Sequence, residues 1–288
     1  MYNDPVPRVE TDPHGTYEAM AAPREAPPAP TPTPSGAPIP DWDDDVTIPG
    51  AKFLDDELPV SETYVVTYAQ NATPVHPGFW QALEHYCDHT GARLIVIGGR
   101  YRNPTSLWTD KDRGHDWWAP EVEPYILNEE SETGSPTKGL RMEICEGLVA
   151  YGDVSIQPTA VRPLTGFEVF CGSGSGIFGH PKIQLSAIAS ADKEHPRLLI
   201  STGACTLPNY TRSKAGKKAE ANHVFGATVI EVCDGVWWPR QINATEDGSF
   251  IDLACEYTPE GIQPAPAPLA LVLGDVHEAQ LDRATWNA

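Results

Sequence analysis

The apolar residues of this 288-residue chain fall into short blocks, and the first blocks predict a β-α-β unit. Residues 64–68 form an apolar and β-branched block, which is typical of a buried strand. Apolar positions then recur at helical spacing over residues 79–87. They lie between Pro77 and Gly91, which are typical first and last residues of a helix. A second apolar block at residues 94–97 follows. The short crossover predicts that the two strands pair in parallel.

Further apolar blocks predict a strand-rich region after this unit. The predicted strands cover residues 148–151, 167–170, 183–188, 198–202, 227–232 and 236–241. A last apolar block, residues 269–273, ends at Gly274. Residues 108–137 are polar and poorly periodic, which indicates a long excursion with a short helix. The predicted fold class is therefore α/β, with a Rossmann-like β-α-β start followed by a strand-rich region.

Residues 1–60 differ in composition from the rest. They contain 13 of the 29 prolines, and twelve Asp or Glu against three Lys or Arg. Such a stretch is typical of a disordered, acidic, Pro/Ala-rich tail. A short docking motif for a protein partner is the alternative. The predicted organisation is this tail at 1–60, an α/β domain at 61–267, and the first strand and motif of an incomplete further domain at 268–288.

The composition limits which cellular compartment and which binding partners we expect for this protein. The net charge of −20 argues against a protein that coats nucleic acid over its whole surface, but it leaves room for a local basic site. The six cysteines are widely spaced, which favours free thiols over disulfides or zinc. The sequence shows no signal-peptide pattern and no apolar run of membrane-spanning length. We therefore expect a cytoplasmic protein, in the host cytoplasm if it is phage-encoded, with no membrane partner.

The sharpest chemical motif is Gly-Asp-Val-His at residues 274–277. Asp275 and His277 are two residues apart at a strand end, so they point to the same side and can reach one metal ion. A carboxylate with an imidazole suits Mn, Fe or Zn better than Mg or Ca. A metal there would activate water against a phosphoester. A simple strand-ending turn is the alternative, because Gly-Asp is also ordinary turn chemistry.

This motif resembles the first block of a metallophosphoesterase site, and the later blocks of such a site do not follow it. Such a site also needs Gly-Asp-x-x-Asp, an Asn-His block and further histidines, and only eleven residues follow His277. Asn222-His223 is an Asn-His pair, but it precedes the first block. We therefore expect a chain that is inactive alone, with its catalytic residues unassigned. A missing C-terminal half would then be a partner.

Two polar segments are candidates for phosphate or nucleic-acid binding. The first follows the strand at 198–202 and contains Asn209, Tyr210 and four basic residues within seven positions: Arg212, Lys214, Lys217 and Lys218. Lys and Arg charges with backbone amides can hold phosphate. A solvated basic loop is the alternative.

The second segment follows the strand at 94–97, where ligands of parallel α/β sheets bind. We expect Gln70, Asn71, Arg100, Arg102 and Asn103 to lie together there. Arginine beside Tyr101 suits phosphate binding with base stacking. A polar network that holds two loops in place is an equally good interpretation.

Several segments together resemble a family of tailed-phage early proteins that are labelled DNA-transfer or DNA-binding proteins. The segments that carry the resemblance are residues 64–76, 100–106, 157–160, 179–182, 202–206, 209–211 and 214–218. The longer members of that family look like metallophosphoesterase-type DNases. The resemblance covers roughly residues 62–282, and it implies that Asp275 and His277 match the first metal-ligand block.

The leading hypothesis is a phage DNA-metabolism protein of the DNA-transfer or nuclease type, present as the N-terminal part of a metal-dependent phosphodiesterase or DNase. The resemblance implies DNA as partner, and a divalent metal (Mn, or Fe/Zn) as cofactor once a C-terminal domain completes the site. The alternative is a non-catalytic nucleic-acid or nucleotide-binding module, or an interaction protein of a larger phage complex.

Overall fold

The computed structural model describes residues 61–106, 117–127, 140–189 and 197–268. In chain order its helices and strands are β1 (Ser61–Gln70), α1 (Pro77–Thr90), β2 (Arg93–Gly99), a 3-10 helix (Glu123–Tyr125), β3 (Arg141–Cys145), β4 (Leu148–Tyr151), a second 3-10 helix (Phe167–Phe170), β5 (Ser175–Phe178), β6 (Gln184–Ile188), β7 (Arg197–Ser201), α2 (Lys214–Asn222), β8 (Gly226–Cys233), β9 (Val236–Asn243), β10 (Phe250–Asp252), β11 (Cys255–Thr258) and β12 (Gly261–Pro264). The predicted tail at 1–60 and the predicted strand and motif at 268–288 lie outside the described residues, apart from Pro268.

The predicted β-α-β unit is confirmed. β1 and β2 pair in parallel, with Tyr64 opposite Arg93 at one end and Gln70 opposite Gly99 at the other. Helix α1 begins where His76 Nδ1 accepts a hydrogen bond from the Phe79 N–H, and this caps one free amide of its first turn. It ends at Gly91, whose φ of 68° is a left-handed conformation that favours glycine.

Twelve strands among the described residues form three sheets, so the α/β class with a strand-rich continuation is confirmed. The first sheet has the order β2-β1-β8-β9, the second β3-β4-β5-β7-β6, and the third is the antiparallel meander β10-β11-β12. In the first sheet β1 is parallel to β2 and antiparallel to β8. In the second, the central strands β4, β5 and β7 are parallel.

Alternating side chains of β1 bury both faces of the first sheet. Val65 and Ala69 face α1 and the three-stranded sheet, in a cluster that includes Leu83 of α1. Tyr64 and Val66 face the second sheet, in a cluster that includes apolar residues of β4, β5 and β7. A third cluster covers the far face of the second sheet. This double burial explains why residues 64–68 are apolar or β-branched throughout and do not alternate between apolar and polar side chains.

The strand predicted at 167–170 is wrong, because this segment is a 3-10 helix. Gly166 precedes it with a φ of 85°, which turns the chain out of an extended path. The rings of Phe167 and Phe170 stack at 5.5 Å, since residues three apart lie on one side of a 3-10 helix. Val169 between them is exposed.

The basic segment that contains Arg212 and the three lysines is predicted as a loop, but in the structure helix α2 begins within it, at Lys214. Ser213 caps it by accepting a hydrogen bond from the Gly216 N–H over 3.0 Å. Its buried residues are Gly216 and Ala219, so the helix packs through a small face. Because this helix has no large apolar residues, the sequence shows no apolar residues repeating at helical spacing, and the helix was therefore not predicted.

No helix among the described residues is long and apolar enough to span a membrane. All six cysteines are free thiols, as predicted, although only Cys171 and Cys205 are buried and the others are half-buried.

Truncating Leu83 should destabilise the fold strongly. Its side chain is fully buried between α1 and the first sheet. We expect Leu83→Ala to lower the free energy of unfolding by about 2–5 kcal/mol, because it removes buried methyl groups and leaves a cavity. Chemical denaturation measures this. The exposed neighbour Gln81 is the control, and Gln81→Ala should stay within about 0.5 kcal/mol of the wild type.

Candidate functional site

The candidate site lies at the carboxyl end of β1, where the first sheet splits. β1 pairs with β8 only as far as Val66. Beyond that point the segment Gly203–Thr206 lies beside β1: the Tyr68 N–H donates to the Gly203 carbonyl over 3.1 Å, and the Cys205 N–H donates to the Tyr68 carbonyl over 2.9 Å. The end of β1 is thus bordered by β2 on one side and by this segment on the other.

Two buried asparagines hold the loop that follows β2. Asn71 Oδ1 accepts from the Tyr101 N–H over 2.7 Å, and its Nδ2 donates to Ser106 Oγ. Asn103 Nδ2 donates to the Asn71 carbonyl over 2.7 Å, and its Oδ1 accepts from the Thr105 N–H over 3.1 Å. Asn71 is 0% and Asn103 5% exposed. Their side chains therefore work inside the protein as loop supports.

Asn209 connects the other border of the site to this network. Gln70 Nε2 donates to the Asn209 carbonyl over 2.7 Å. Asn209 Nδ2 donates to Thr105 Oγ1 over 2.6 Å and to Thr73 Oγ1 over 3.0 Å. Thr105 Oγ1 also donates to the carbonyl of Ala72, a residue with a left-handed φ of 49°. These bonds hold an otherwise unfavourable backbone conformation at the strand end.

The start of α2 is tied to the same network through hydroxyl groups. Tyr101 Oη lies 3.2 Å from Thr211 Oγ1, which lies 3.1 Å from Oγ of the helix cap Ser213. The ring of Tyr101 lies 6.1 Å from that of Tyr210 at a tilted angle. The loop after β2 and the residues before α2 therefore form one connected surface.

Two histidines, the buried His180 and the half-buried His223, support this surface in their neutral form. Tyr210 Oη donates to His223 Nδ1 over 2.7 Å, and His223 Nε2 donates to the Thr206 carbonyl over 2.9 Å. His180 Nδ1 accepts from the Lys182 N–H, and its Nε2 donates to the Gln157 carbonyl. Burial lowers the pKa of each histidine to about 4. With both nitrogens occupied, neither histidine is available as a metal ligand.

The cations of the predicted site project from this surface into solvent. Exposed side chains in this group are Arg102, Arg212, Lys214, Lys217 and Lys218. The three lysines of α2 are spaced i, i+3 and i+4, which places them on one side of the helix. None of the five has an ion-pair partner within the part of the chain that the structure describes. We call these five residues the basic rim.

At the ends of β1 and β2, three buried polar atoms have no hydrogen-bond partner among the residues that the structure describes: Tyr68 Oη, Gln70 Oε1 and Arg100 Nε. Native proteins pair more than about 90% of such groups. Tyr68 and Gln70 are each only 1% exposed. Both lie on the same face of β1, since they are two residues apart along a strand.

The structure brings together most of the predicted phosphate-binding residues, but in two different roles. Asn71, Asn103 and Asn209 are internal supports, whereas the five residues of the basic rim face solvent. Sequence reasoning missed Tyr68, Thr105 and His223. Tyr68 lies in an apolar block that predicts only a core strand, so no local signal marks its hydroxyl.

The predicted metal ligands Asp275 and His277 lie outside the described residues. Within residues 61–106, 117–127, 140–189 and 197–268, no group of three His, Cys, Asp or Glu side chains is arranged to hold a metal ion.

Comparisons with known proteins find a phage relative. The chain is 31% identical to "Protein A1" of Escherichia phage T5, over 80% of this chain and 41% of that protein. It is thus a homologue of a phage protein, and it spans about two-fifths of that relative's length. No family model matches the chain. The crystal structure of Chaetomium thermophilum Vps29 aligns with 71% of this chain and 100% of its own, at 8% identity and a TM-score of 0.31.

Removing the Asn103 side chain should loosen the loop after β2. Asn103→Ala leaves the Thr105 amide without its partner and removes one of the two hydrogen bonds to the Asn71 carbonyl, the other coming from Thr73 Oγ1, so we expect a loss of about 1–3 kcal/mol in the free energy of unfolding. Arg102→Ala, one residue away and exposed, should change it by less than about 0.5 kcal/mol. Equal effects of the two variants in urea denaturation would contradict the support role.

His180 and His223 should make the protein sensitive to mild acid. Their pKa is about 4 in the folded protein against 6.5 when unperturbed. Between these values the unfolded chain binds protons that the folded chain does not, so stability falls as the pH drops from 6.5 to 4. The loss should approach about 3 kcal/mol per histidine.

Urea denaturation at several pH values between 4 and 7 measures this slope. His223→Gln keeps a side-chain N–H donor but removes one titrating group. We expect the variant to lose stability with acid about half as steeply as the wild type over this range. A slope equal to that of the wild type would contradict the assignment to His223.

Proposed function

We propose that this chain takes part in phage DNA metabolism by binding the phosphate backbone of nucleic acid along the basic rim. The observation that carries the proposal is the grouping of five exposed cations on one connected surface, none with an ion-pair partner among the described residues, in a protein with a net charge of −20. In such a protein a local positive field needs cations that lie near one another and away from carboxylates.

The supporting network gives the basic rim a defined shape. Arg102 follows Tyr101, whose backbone N–H is held by Asn71. Arg212 lies between Thr211 and Ser213, whose hydroxyls are linked. The lysines stand on a capped helix. Each cation therefore starts from a fixed backbone, which lowers the entropy lost when it contacts phosphate.

The N-terminal turn of α2 adds to this field. Its free backbone amides carry a partial positive charge, and Arg212 and Lys214 flank them. Ser213 Oγ accepts a hydrogen bond from one of these amides, the N–H of Gly216. Together with the lysine side chains, the helix start suits phosphate oxygens better than any neutral ligand.

The rest of the predicted function belongs to the same proposal. Asp275 and His277 would hold a divalent metal (Mn, or Fe/Zn) and so contribute the first block of a metal-dependent phosphodiesterase or DNase. The other ligands of that site would come from a further part of the protein or from a second chain. The acidic residues 1–60 would serve as a contact for a protein partner, and the compartment would be the cytoplasm of the host cell.

Salt-dependent DNA binding tests the proposal. Wild-type protein should bind a labelled oligonucleotide with an affinity that falls as salt rises. Lys214→Ala/Lys217→Ala/Lys218→Ala should weaken binding and reduce the slope of log Kd against log salt concentration by about 2 to 3, since each phosphate contact contributes about 0.7 to 0.9. Fluorescence anisotropy between low and physiological salt provides the measurement.

Arg93→Ala is the control for this experiment. Arg93 is exposed at the start of β2, at the opposite end of that strand from the basic rim. Its removal should leave the affinity and the salt slope almost unchanged. If the wild type shows no salt-sensitive binding, or if Arg93→Ala matches the triple variant, the basic rim is not a phosphate-binding surface.

A further inference from the structure

The outer edge of β2 is only partly paired. β2 is the end strand of the first sheet, and β1 pairs with its inner side. On the outer side the Leu127 N–H donates to the Val96 carbonyl over 2.9 Å, and Val96 forms a parallel bridge with Ile126. Backbone groups of successive residues in a strand point to opposite sides, so those of Leu94 face outward like those of Val96. Among the described residues, none forms a hydrogen bond with the N–H or the carbonyl of Leu94 on this side.

A groove opens beside Leu94, because the two bridged segments separate there. The residues before Ile126 turn away from β2 as the 3-10 helix Glu123–Tyr125. The space between residues 92–95 and residues 124–127 is a cleft of about 470 Å³. A second cleft of about 690 Å³ continues from it along the C-terminal half of α1. The two clefts share three lining residues: Ala92, Leu94 and Tyr125. We call the two clefts together the β2 groove.

The β2 groove is apolar at its centre and acidic along α1. Leu94 and Tyr125 line both clefts, and the ring-bearing side chain of Tyr125 is exposed. Glu84 and Asp88 are exposed, lie one helical turn apart and line the cleft along α1. Neither forms an ion pair with a described residue. Burial and the charges of Asp88 and Glu84 raise the pKa of the Cys87 thiol to about 12, so both carboxylates act on this cleft.

The two faces of this strand edge differ, and the difference defines the partner. On one face lies α1 with Glu84 and Asp88. On the other lie Leu127 and Met142, which pack against the second sheet, together with the cation Arg93. Side chains of an added strand alternate between the two faces. A segment in which basic and apolar residues alternate therefore places its cations against the carboxylates and away from Arg93. Nucleic acid does not fit, because the carboxylates repel phosphates.

We propose that the β2 groove binds an extended segment of a partner protein in which apolar residues alternate with Lys or Arg. The segment adds to β2 as a short strand, and its backbone pairs with the N–H and carbonyl of Leu94. Its basic residues meet Glu84 and Asp88. Its apolar residues fill the space beside Leu127 and Met142. The proposal does not depend on phosphate binding at the basic rim, which lies beyond the other end of β2.

Amide hydrogen exchange in the full chain tests whether the edge of β2 is free. Leu94 should exchange more than about a hundredfold faster than Ile95, whose N–H faces β1. If Leu94 exchanges as slowly as Ile95, the edge is already paired and the proposal is overturned. Sedimentation equilibrium then identifies the occupant, since a second copy gives a dimer and another part of the same chain leaves a monomer.

A synthetic pentapeptide, acetyl-Val-Lys-Val-Lys-Val-amide, is the probe for the partner. We expect it to shift the nuclear magnetic resonance signals of Leu94, Glu84 and Asp88 and to slow amide exchange at Leu94. The same peptide with Glu in place of Lys should bind at least about tenfold more weakly, because like charges oppose each other. Two N-methylated forms, one methylated at the valines and one at the lysines, test strand pairing. Only alternate amides of an added strand face β2, so one form should lose binding and the other should keep it.

Glu84→Gln/Asp88→Asn removes both carboxylate charges from the β2 groove and keeps the size of the side chains. It should weaken binding of the lysine peptide about fivefold to tenfold, as expected for the loss of two exposed ion pairs. Glu146→Gln/Glu168→Gln is the matched control, because it removes the same charge from exposed positions that do not line the groove. Glu84 also accepts a hydrogen bond from Trp80 Nε1, so thermal unfolding checks that both variants fold.

Binding of the lysine peptide that is weakened by the groove variant and lost in one methylated form supports the proposal. Four results overturn it: no shift at Leu94 with millimolar lysine peptide, equal binding of the lysine and glutamate peptides, equal binding of both methylated forms, or equal weakening by the control variant. Salt-dependent DNA binding is measured separately, so the failure of one proposal leaves the other standing.

Discussion

β1 changes its hydrogen-bonding partner along its length, and the rest of the candidate site depends on that exchange. The strand pairs with β8 up to Val66 and with the segment Gly203–Thr206 around Tyr68. Buried backbone groups must be paired, so this segment cannot leave without exposing those of Tyr68. The same segment follows β7, which belongs to the second sheet. It therefore carries the chain from one sheet into the other and brings Asn209 and α2 to the end of β1.

The basic rim is a local exception to the charge of the whole protein, and its arrangement has a cost of its own. Lys214, Lys217 and Lys218 are like charges on one side of a short helix, which weakly destabilises it. The capping bond from Ser213 and the packing of Gly216 and Ala219 offset this cost. An anion along that side would relieve the repulsion. The fold thus keeps α2 in place by local bonds, and no described carboxylate forms an ion pair with its lysines.

The features that could be predicted from the sequence are those fixed by residues close together in the chain, and the features that were missed depend on contacts between residues far apart in the chain. The β-α-β unit is marked locally by its apolar blocks and by Pro77 and Gly91. Its two strands pair in parallel, as predicted. The predicted loop residues Gln70 and Asn103 also lie together, because parallel strands end at one edge. Helix α2 was missed because small residues pack it. The role of His223 could not be foreseen, since its partners Tyr210 and Thr206 are distant in sequence or fixed only by the fold.

Tyr68 shows why the candidate site contains polar atoms that the fold leaves unpaired. Its backbone lies where β1 exchanges partners, so the backbone cannot move. Its ring is held between Gly99 and Gly179, so the hydroxyl cannot turn toward solvent. The apolar clusters on both faces of the first sheet supply the stability that tolerates this unpaired group. A structure that only needed to fold would be served equally well by phenylalanine at this position.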